Sequence, residues 1–371
     1  MKGWVLGKMG KIAEAAEVYE GILNNEPDNV EVILAIAILY ENFDREKANG
    51  YYRRAVIADN RSVKTLGMLA ESLNRSRYGS EAAHIQEAYE LCCELLEKSD
   101  GLKESSTLFG VLLRCVDYHN LNKLDIGKCF EYWLKNMNIG GFHLGLSRVK
   151  TMEDRLKLLH YHREWGRKVE AQVAGKKLNR TAKPPREKIR VGFMSSDLRS
   201  HPVSYFALPL MEHYDKSKFE VYCYSFYTLE EDKLQRHIAG QVDKFNWWPK
   251  KSDQDIAQGM LDDHLDILFE LGGTTDMNKI HLMALKLAPI QASWLGYPHS
   301  AGLKDIDYIL VDPFLKPEPQ LLIEKPFEVP ETWVSLGRGG FYDAPINPVI
   351  PEERNGFLTF GTMNNPYKYT A

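Results

Sequence analysis

Three short segments of this chain gather Gly, Ser, Thr and His: Ser195-Ser-Asp-Leu-Arg-Ser-His-Pro-Val-Ser-Tyr205, Gly272-Gly-Thr-Thr275 and Gly296-Tyr-Pro-His-Ser-Ala-Gly302. Small and hydroxyl-bearing residues let backbone N–H groups approach a polar or anionic ligand. His201 stands immediately before Pro202, and proline is favoured at the first position of a helix. The imidazole is thereby expected at a helix N-terminus, beside the place where an anion would sit. The chemistry these residues offer is recognition of a polar ligand next to a group that titrates near neutrality. By its local sequence alone, His201 reads equally as a loop histidine satisfied within the protein.

Other chemistries lack their residues. No Gly-x-Gly-x-x-Gly joins a strand pattern to a helix pattern, so no nicotinamide or flavin cofactor is expected, and neither a Walker loop nor His-Glu-x-x-His occurs. Gly337-Arg-Gly-Gly340 has no strand-turn-helix context and reads as a turn. Asp305-Ile-Asp307 matches the short D-x-D pattern of metal-using glycosyltransferases, but it opens a strand, the wrong end for a ligand, and reads as structural. His119, His160 and His162 lie in helical patterns, read as surface or partly packed, with no carboxylate or thiol to complete a metal set. No metal is expected. The cysteines, Cys92, Cys93, Cys115, Cys129 and Cys223, are odd in number and form no C-x-x-C, which fits a reducing cytoplasm. A formal net charge of −4 argues against a nucleic-acid binder. The longest apolar run, 32–40, is too short for a bilayer, and the N-terminus lacks a signal-peptide core, so no membrane association is expected.

The elements that must position the three segments follow from periodicity. The chain has 371 residues, enough for two or three domains. Ala15, Tyr19 and Ile22 recur as Ala48, Tyr52 and Ala55, a shift of 33, close to the tetratricopeptide period. A small Ala lets two helices approach, Tyr fills the groove beside it, and Pro27 ends the second helix. A third, degenerate copy follows Arg61. Helical patterning continues, with Leu108, Val111, Leu112, Cys115 and Val116 in one stripe and Phe130, Trp133 and Leu134 in another. A polar, proline-bearing linker covers 181–188. Beyond it, strands are expected at 189–195, 219–226, 267–271, 290–295 and 308–311, with helices near 203–213, 230–240, 253–264 and 277–287. That alternation means a doubly wound parallel sheet covered on both faces, with ligands at the carboxyl ends of the strands. The three polar segments occupy those ends. The expected organisation is a tetratricopeptide-like arm at 1–100, a helical connector at 101–180, a Rossmann-like domain at 181–355, and the opening of a second such domain at 356–371, with a strand at 357–361.

The stretch from Ile189 to about Asn365 resembles the catalytic region of the protein O-GlcNAc transferase (SPINDLY-like) family, glycosyltransferase family 41. The residues that carry this are Arg190-Val-Gly-Phe-Met-Ser-Ser-Asp197, His201-Pro-Val-Ser204, Phe219-Glu-Val-Tyr-Cys-Tyr224, Pro289-Ile-Gln-Ala-Ser-Trp-Leu-Gly-Tyr-Pro298, Asp307-Tyr-Ile-Leu-Val-Asp-Pro313 and Phe360-Gly-Thr-Met-Asn-Asn365. The arm in front is a family feature as well. The resemblance implies the N-terminal half of a GT-B fold and metal-free, inverting transfer of N-acetylglucosamine from UDP-GlcNAc to Ser or Thr of proteins. It implies that His201 is the active-site histidine of a His-Pro-x-Ser motif, followed by Pro202. It further implies that Thr275 lies near the sugar and that Leu295, Gly296 and Pro298 line the donor. No cofactor beyond the donor nucleotide sugar is implied.

The chain departs from the family pattern at His299, where Gly is usual, at Ser300, where Thr is usual, and at Gly272. These leave another UDP-hexose or a deoxysugar nucleotide open as donor, with His299 able to crowd the pocket or add a polar contact. The nucleotide-binding residues of the family belong to its second Rossmann-like domain, so the expectation is that this stretch does not turn over UDP-sugar by itself. The competing reading is a non-catalytic scaffold, a repeat arm holding a protein or peptide beside a degenerate glycosyltransferase half. In either reading the arm can hold a protein or peptide partner.

Overall fold

The structure is a computed structural model that describes residues 2–176, 178–179, 181–275, 277–297, 299–337, 345 and 347–362. Pro298, most of the expected turn after Gly337, and residues 363–371 of the expected last segment lie outside the described residues. The chain forms two compact units, the first built on residues 1–132 and the second on 133–361.

The first unit is helical. Helices α1 (Lys2–Lys8), α2 (Ile12–Leu23), α3 (Val30–Tyr40), α4 (Arg45–Ala58), α5 (Val63–Asn74) and α6 (Glu81–Lys98) follow as three helix pairs. Ala15, Ala48, Tyr52 and Ala55 are buried, as the repeat requires, and Gly3 leaves room for the Tyr19 ring, which a Cβ there would approach to 2.8 Å. Ile22 is 37% exposed whereas Ala55 is buried, so that repeat position belongs to the core only in the second copy. Asn49, fully buried, ties α4 to the third pair: its amide donates to Ser76 Oγ (2.8 Å) and Tyr78 OH (2.9 Å) and accepts from Ser72 Oγ (2.6 Å). Shorter helices follow: α7 (Ser105–Arg114), α8 (Tyr118–Leu121) and α9 (Ile126–Lys135), within which the second unit begins; α10 (Ile139–Gly145) and the next helix belong to that unit. Helix α11 (Met152–Val173) opens on a capping box between Thr151 and Asp154.

The second unit centres on a seven-stranded parallel sheet among the described residues. Its strands are β1 (Ile189–Ser195), β2 (Phe219–Ser225), β3 (Lys244–Trp247), β4 (Ile267–Glu270), β5 (Ile290–Ser293), β6 (Tyr308–Val311) and β7 (Lys325–Glu328), in the order β3-β2-β1-β4-β5-β6-β7. Helices α12 (Pro202–His213), α13 (Lys233–Gln241) and α14 (Asp253–Asp262) connect the first four strands. The chain winds outward from β1 to β3, returns to lay β4 on the other side of β1, and winds outward again. Phe193 and Val191 of β1 pack with Leu208 and Met211 of α12 and Ile238 of α13, while Phe193 stacks on Phe269 at 5.2 Å.

The five expected strands and the doubly wound parallel sheet are present. Two strands were not expected, β3 and β7, and they form the two edges of the sheet. The helix expected at 277–287 is a 3-10 turn at Ile280–Leu285. The strand expected at 357–361 is absent: those residues have no strand partner, and Phe357, Leu358 and Phe360 are 62, 66 and 91% exposed. The apolar residues there pair with neither edge of the sheet. A short helix, α15 (Pro351–Asn355), precedes them. Among the described residues, no helix is long and apolar enough to cross a membrane.

Candidate active site

In a sheet of this order the ligand crevice lies where the winding reverses, at the carboxyl ends of β1 and β4. The loop after β1 runs through Asp197 to His201, which caps α12 with extended backbone, and Pro202 takes the first helical position as expected. The His201 Nδ1 accepts from Val203 N–H at 3.3 Å. An accepting Nδ1 leaves the proton of the neutral ring on Nε2, a donor 3.8 Å from Asp197 Oδ1. Burial holds the His201 imidazole below its ordinary pKa, opposed by the Asp197 charge and reinforced by that of Arg199. The loop is bound to itself: Ser204 Oγ donates to Asp197 C=O (2.7 Å) and accepts from Arg199 N–H (3.1 Å).

The loop after β4 carries Thr275, whose hydroxyl donates to Gly272 C=O at 2.8 Å. Asn278 joins this loop to the first. Its Oδ1 accepts from Ser196 N–H at 2.9 Å and from Ser195 Oγ at 3.3 Å, and its Nδ2 donates to Thr275 Oγ1. Beneath them, Glu270 at the end of β4 is fully buried. It accepts from Gly273 N–H at 2.6 Å and from the Ser293 hydroxyl of β5. Loss of solvation pushes its carboxyl up to about 7, against the pull of those donors.

The loop after β5 holds Leu295, Gly296 and His299. Leu295 has φ +81°, a left-handed backbone that costs a branched residue energy and marks a tightly determined turn. Gly296 lies on the β4 loop: a Cβ there would sit 2.0 Å from Leu271 O and 2.8 Å from Gly272 Cα. The bare backbone expected of Gly296 is thus demanded by the protein's own main chain. Trp294, Leu295, Tyr297, Arg155, Phe314 and Trp333 line a cleft of about 400 Å³.

His299 does not reach this cleft's surface. It is fully buried, 4.7 Å from the His162 ring, with Nδ1 bonded to Ser300 C=O at 3.0 Å. Its Nε2 has no hydrogen-bond partner among the described residues. Burial pushes its pKa down to about 2 and that of His162 to about 4, so both are neutral rings. His162, expected at or near the surface, is completely buried. Its Nδ1 donates to Leu158 C=O (2.9 Å) and its Nε2 accepts from the Tyr297 hydroxyl (3.0 Å). Two glycines complete this contact. A Cβ on Gly166 of α11 would meet Gly302 O at 1.9 Å, and one on Gly302 (φ +92°) would meet His162 O at 2.2 Å. The β5 loop is gripped from behind by α11.

The structure therefore brings together the loops of His201, Thr275 and Leu295–Gly296, and turns His299 inward. Asp305 and Asp307 lie at the opposite, amino edge of the sheet, where Asp307 pairs with Lys286 (2.6 Å) and accepts from Gln291 N–H (2.8 Å). Residues 171–323 match the family model described as glycosyl transferase family 41. This part of the chain resembles family 41. It runs from the last turn of α11 through β6, so every candidate residue falls inside it.

Among curated proteins, the segment is similar to the probable UDP-N-acetylglucosamine–peptide N-acetylglucosaminyltransferase SPINDLY of Arabidopsis thaliana. The two are 32% identical over 219 residues, covering 58% of this chain and 24% of that protein. The SPINDLY protein of Oryza sativa is 33% identical over 222 residues, covering 58% and 23%. A UDP-N-acetylglucosamine–peptide N-acetylglucosaminyltransferase of Caenorhabditis elegans is 30% identical over 136 residues, covering 35% and 12%. The chain thus spans about a quarter of the length of the SPINDLY relatives it matches. A solved O-GlcNAc transferase variant from Thermobaculum terrenum shares the fold, with a TM-score of 0.55 at 20% identity, over 90% of this chain and 56% of that one.

Asp197, Arg199, Glu270 and Asn278 complete the geometry without having been singled out from the sequence. Glu270 left a signal there: a carboxylate ending the apolar run Ile267-Leu-Phe. Asn278 left none, because its role depends on a loop 82 residues away.

Proposed function

We propose that this chain supplies one side of an inverting glycosyltransferase that moves N-acetylglucosamine from UDP-GlcNAc to Ser or Thr of a protein. The reading rests on one observation: the segment that resembles family 41 is also the stretch whose β1, β4 and β5 loops converge at the reversal point of the sheet, with His201 among them. The acceptor hydroxyl oxygen attacks the anomeric carbon opposite the leaving group. The bond from that carbon to the phosphate oxygen breaks, and UDP departs with the electron pair. The hydroxyl proton passes to a base.

With Nδ1 held by Val203, neutral His201 contributes an Nε2–H that orients a ligand oxygen. Thr275 and the Leu295–Gly296 backbone form the sugar-facing wall, and Pro202 fixes the helix that carries His201. Pro298 is assigned to the donor side by the family resemblance alone, and His299 supports the β5 loop from within. No metal or cofactor has a part in this scheme, and the helical arm is the site for the protein acceptor. Five unpaired cysteines accord with a cytoplasmic setting.

The test is UDP release from UDP-GlcNAc with Ser- and Thr-containing peptides. It is measured for the chain alone and for the chain joined to the remaining length that the SPINDLY relatives possess, with other UDP-hexoses in parallel. Acceptor-dependent release by the longer form is expected, and its absence with every donor sinks the proposal. His201→Ala in the active form should lower the rate by about 100-fold or more, as loss of a preorganised hydrogen-bond donor does; an unchanged rate removes the role given to His201.

A further inference from the structure

Arg199 stands two residues before His201, and the proposed reaction gives it no task. Its surroundings do. The guanidinium carbon lies 4.3 Å from the centre of the Tyr227 ring, a cation–π distance. One terminal nitrogen lies 3.6 Å from Asp197 Oδ1. The His201 Nε2 approaches that same oxygen atom to 3.8 Å. The Asp197 side chain is only 6% exposed, so little water screens it and its charge acts on whichever cation is nearest. A carboxylate flanked by an arginine and a histidine is a contest for one negative charge. The arginine is always charged and is fixed on an aromatic platform.

We propose that Arg199 is a positioning residue for His201: by taking up the Asp197 carboxylate, it leaves the imidazole uncharged and so keeps its ring in the orientation that caps α12. The inference rests on the reading of His201 as a ligand-facing group. Protonation would add a hydrogen to Nδ1, the atom that accepts from Val203 N–H. Two donors would then face each other, the cap would be lost, and the ring would turn away from the direction in which Nε2–H is aimed.

The other neighbours leave this balance to the three residues. Asp232, at the start of α13, is engaged by Ser200 N–H at 2.6 Å and by Gln235 N–H at 2.8 Å. The adjoining β4 loop presents Thr275 and Asn278, neither of which ionises. Tyr227 lies under Arg199, on the side of the guanidinium that it stacks upon. The directions of the charge effects on His201 agree with the geometry: Asp197 favours the charged ring and Arg199 opposes it, on top of burial.

The experiment is an NMR titration of His201 in the full chain, its imidazole resonance among the 11 histidines assigned by loss in His201→Gln. Arg199→Gln removes the charge and should move the His201 midpoint to higher pH. Arg199→Lys keeps the charge but not the flat guanidinium, and should leave the midpoint close to that of the parent. Asp197→Asn should move it to lower pH. The proposal is overturned if the Gln and Lys variants titrate alike, as they would if Arg199 served only to hold the loop on Tyr227, or if Arg199→Gln leaves the midpoint in place. Should Arg199→Gln fail to fold, the Lys and Asn variants decide it: a midpoint that rises in Arg199→Lys, or one that does not fall in Asp197→Asn, refutes the contest for Asp197. The titration needs no turnover, so absence of glycosyl transfer would overturn the proposed function and leave this result standing by itself.

Discussion

The buried carboxylate of Glu270 makes a quantitative prediction about pH. In the folded protein its carboxyl is pushed up to about 7, first by burial, from an ordinary value of 4.5. Below pH 4.5 the folded and unfolded chains both hold the proton. Between 4.5 and about 7 the unfolded chain has released it while the folded one keeps it, so folding stability falls as pH rises through that window. Above about 7 both forms are ionised and the loss is complete. The interval, 7 minus 4.5, at about 1.4 kcal/mol per pH unit, corresponds to roughly 3 kcal/mol.

Glu270→Gln keeps the shape. The amide oxygen can still accept from Gly273 N–H, and the amide N–H₂ can donate to Ser293 Oγ, which replaces the two bonds of the carboxylate. The assay is urea unfolding of parent and variant on either side of the window, followed by the fluorescence of Trp294 and its neighbours. The parent should lose stability relative to the variant by roughly 3 kcal/mol on going from acid to alkaline conditions. Equal pH dependence in the two proteins would show that Glu270 titrates normally, and the argument from its burial would fall.

Three further outcomes follow from contacts already described. Gly296→Ala would drive a Cβ into Leu271 O, so the β4 and β5 loops must separate; a loss of about 3 kcal/mol in thermal unfolding is expected, and normal stability would show that the loops are not in contact. Tyr297→Phe leaves His162 Nε2 buried without its donor and should cost about 1–3 kcal/mol, read as a lowered melting temperature; an unchanged one would mean that water serves the ring. Asn49→Ala strips partners from Ser72, Ser76 and Tyr78 in the helical arm. It should destabilise that unit by about 2 kcal/mol, seen as faster amide exchange in α4 and α5 while the sheet unit is unaffected.

The parts of the fold that were legible in sequence are those whose side chains answer to one environment. Strands β1, β2, β4, β5 and β6 are interior to the sheet and read as short, largely apolar runs, broken by Arg190, Glu220 and Gln291. The two strands that escaped, β3 and β7, are the sheet's edges. Lys244-Phe-Asn-Trp and Lys325-Pro-Phe-Glu mix charge, amide and proline with aromatics, as an edge that must resist further pairing does. His201 and Pro202 could be placed because capping is local. His162 and His299 could not, because each is buried by residues more than a hundred positions away in sequence. A helical wheel shows His162 only as one polar residue among several, and the loop pattern shows His299 only as a departure from a family norm. Their mutual burial explains that departure better than any ligand contact does. The link between Asp197 and Asn278 through the Ser195 hydroxyl is likewise a product of topology: residues after two different strands meet only because β4 returns to the side of β1.

The paired glycines of α11 and the β5 loop have a practical consequence. Composition invites a cut at the polar stretch 181–188, as though everything after it were a detachable module. A protein started there would lose Gly166, His162 and the backbone against which Gly302 is folded. The loop bearing Leu295 and Gly296 would then face water, with the Tyr297 ring and the His299 imidazole uncovered. The workable unit for excision, grafting or recombination therefore starts upstream of α11, and the helix that looks like a tether is the back wall of the site.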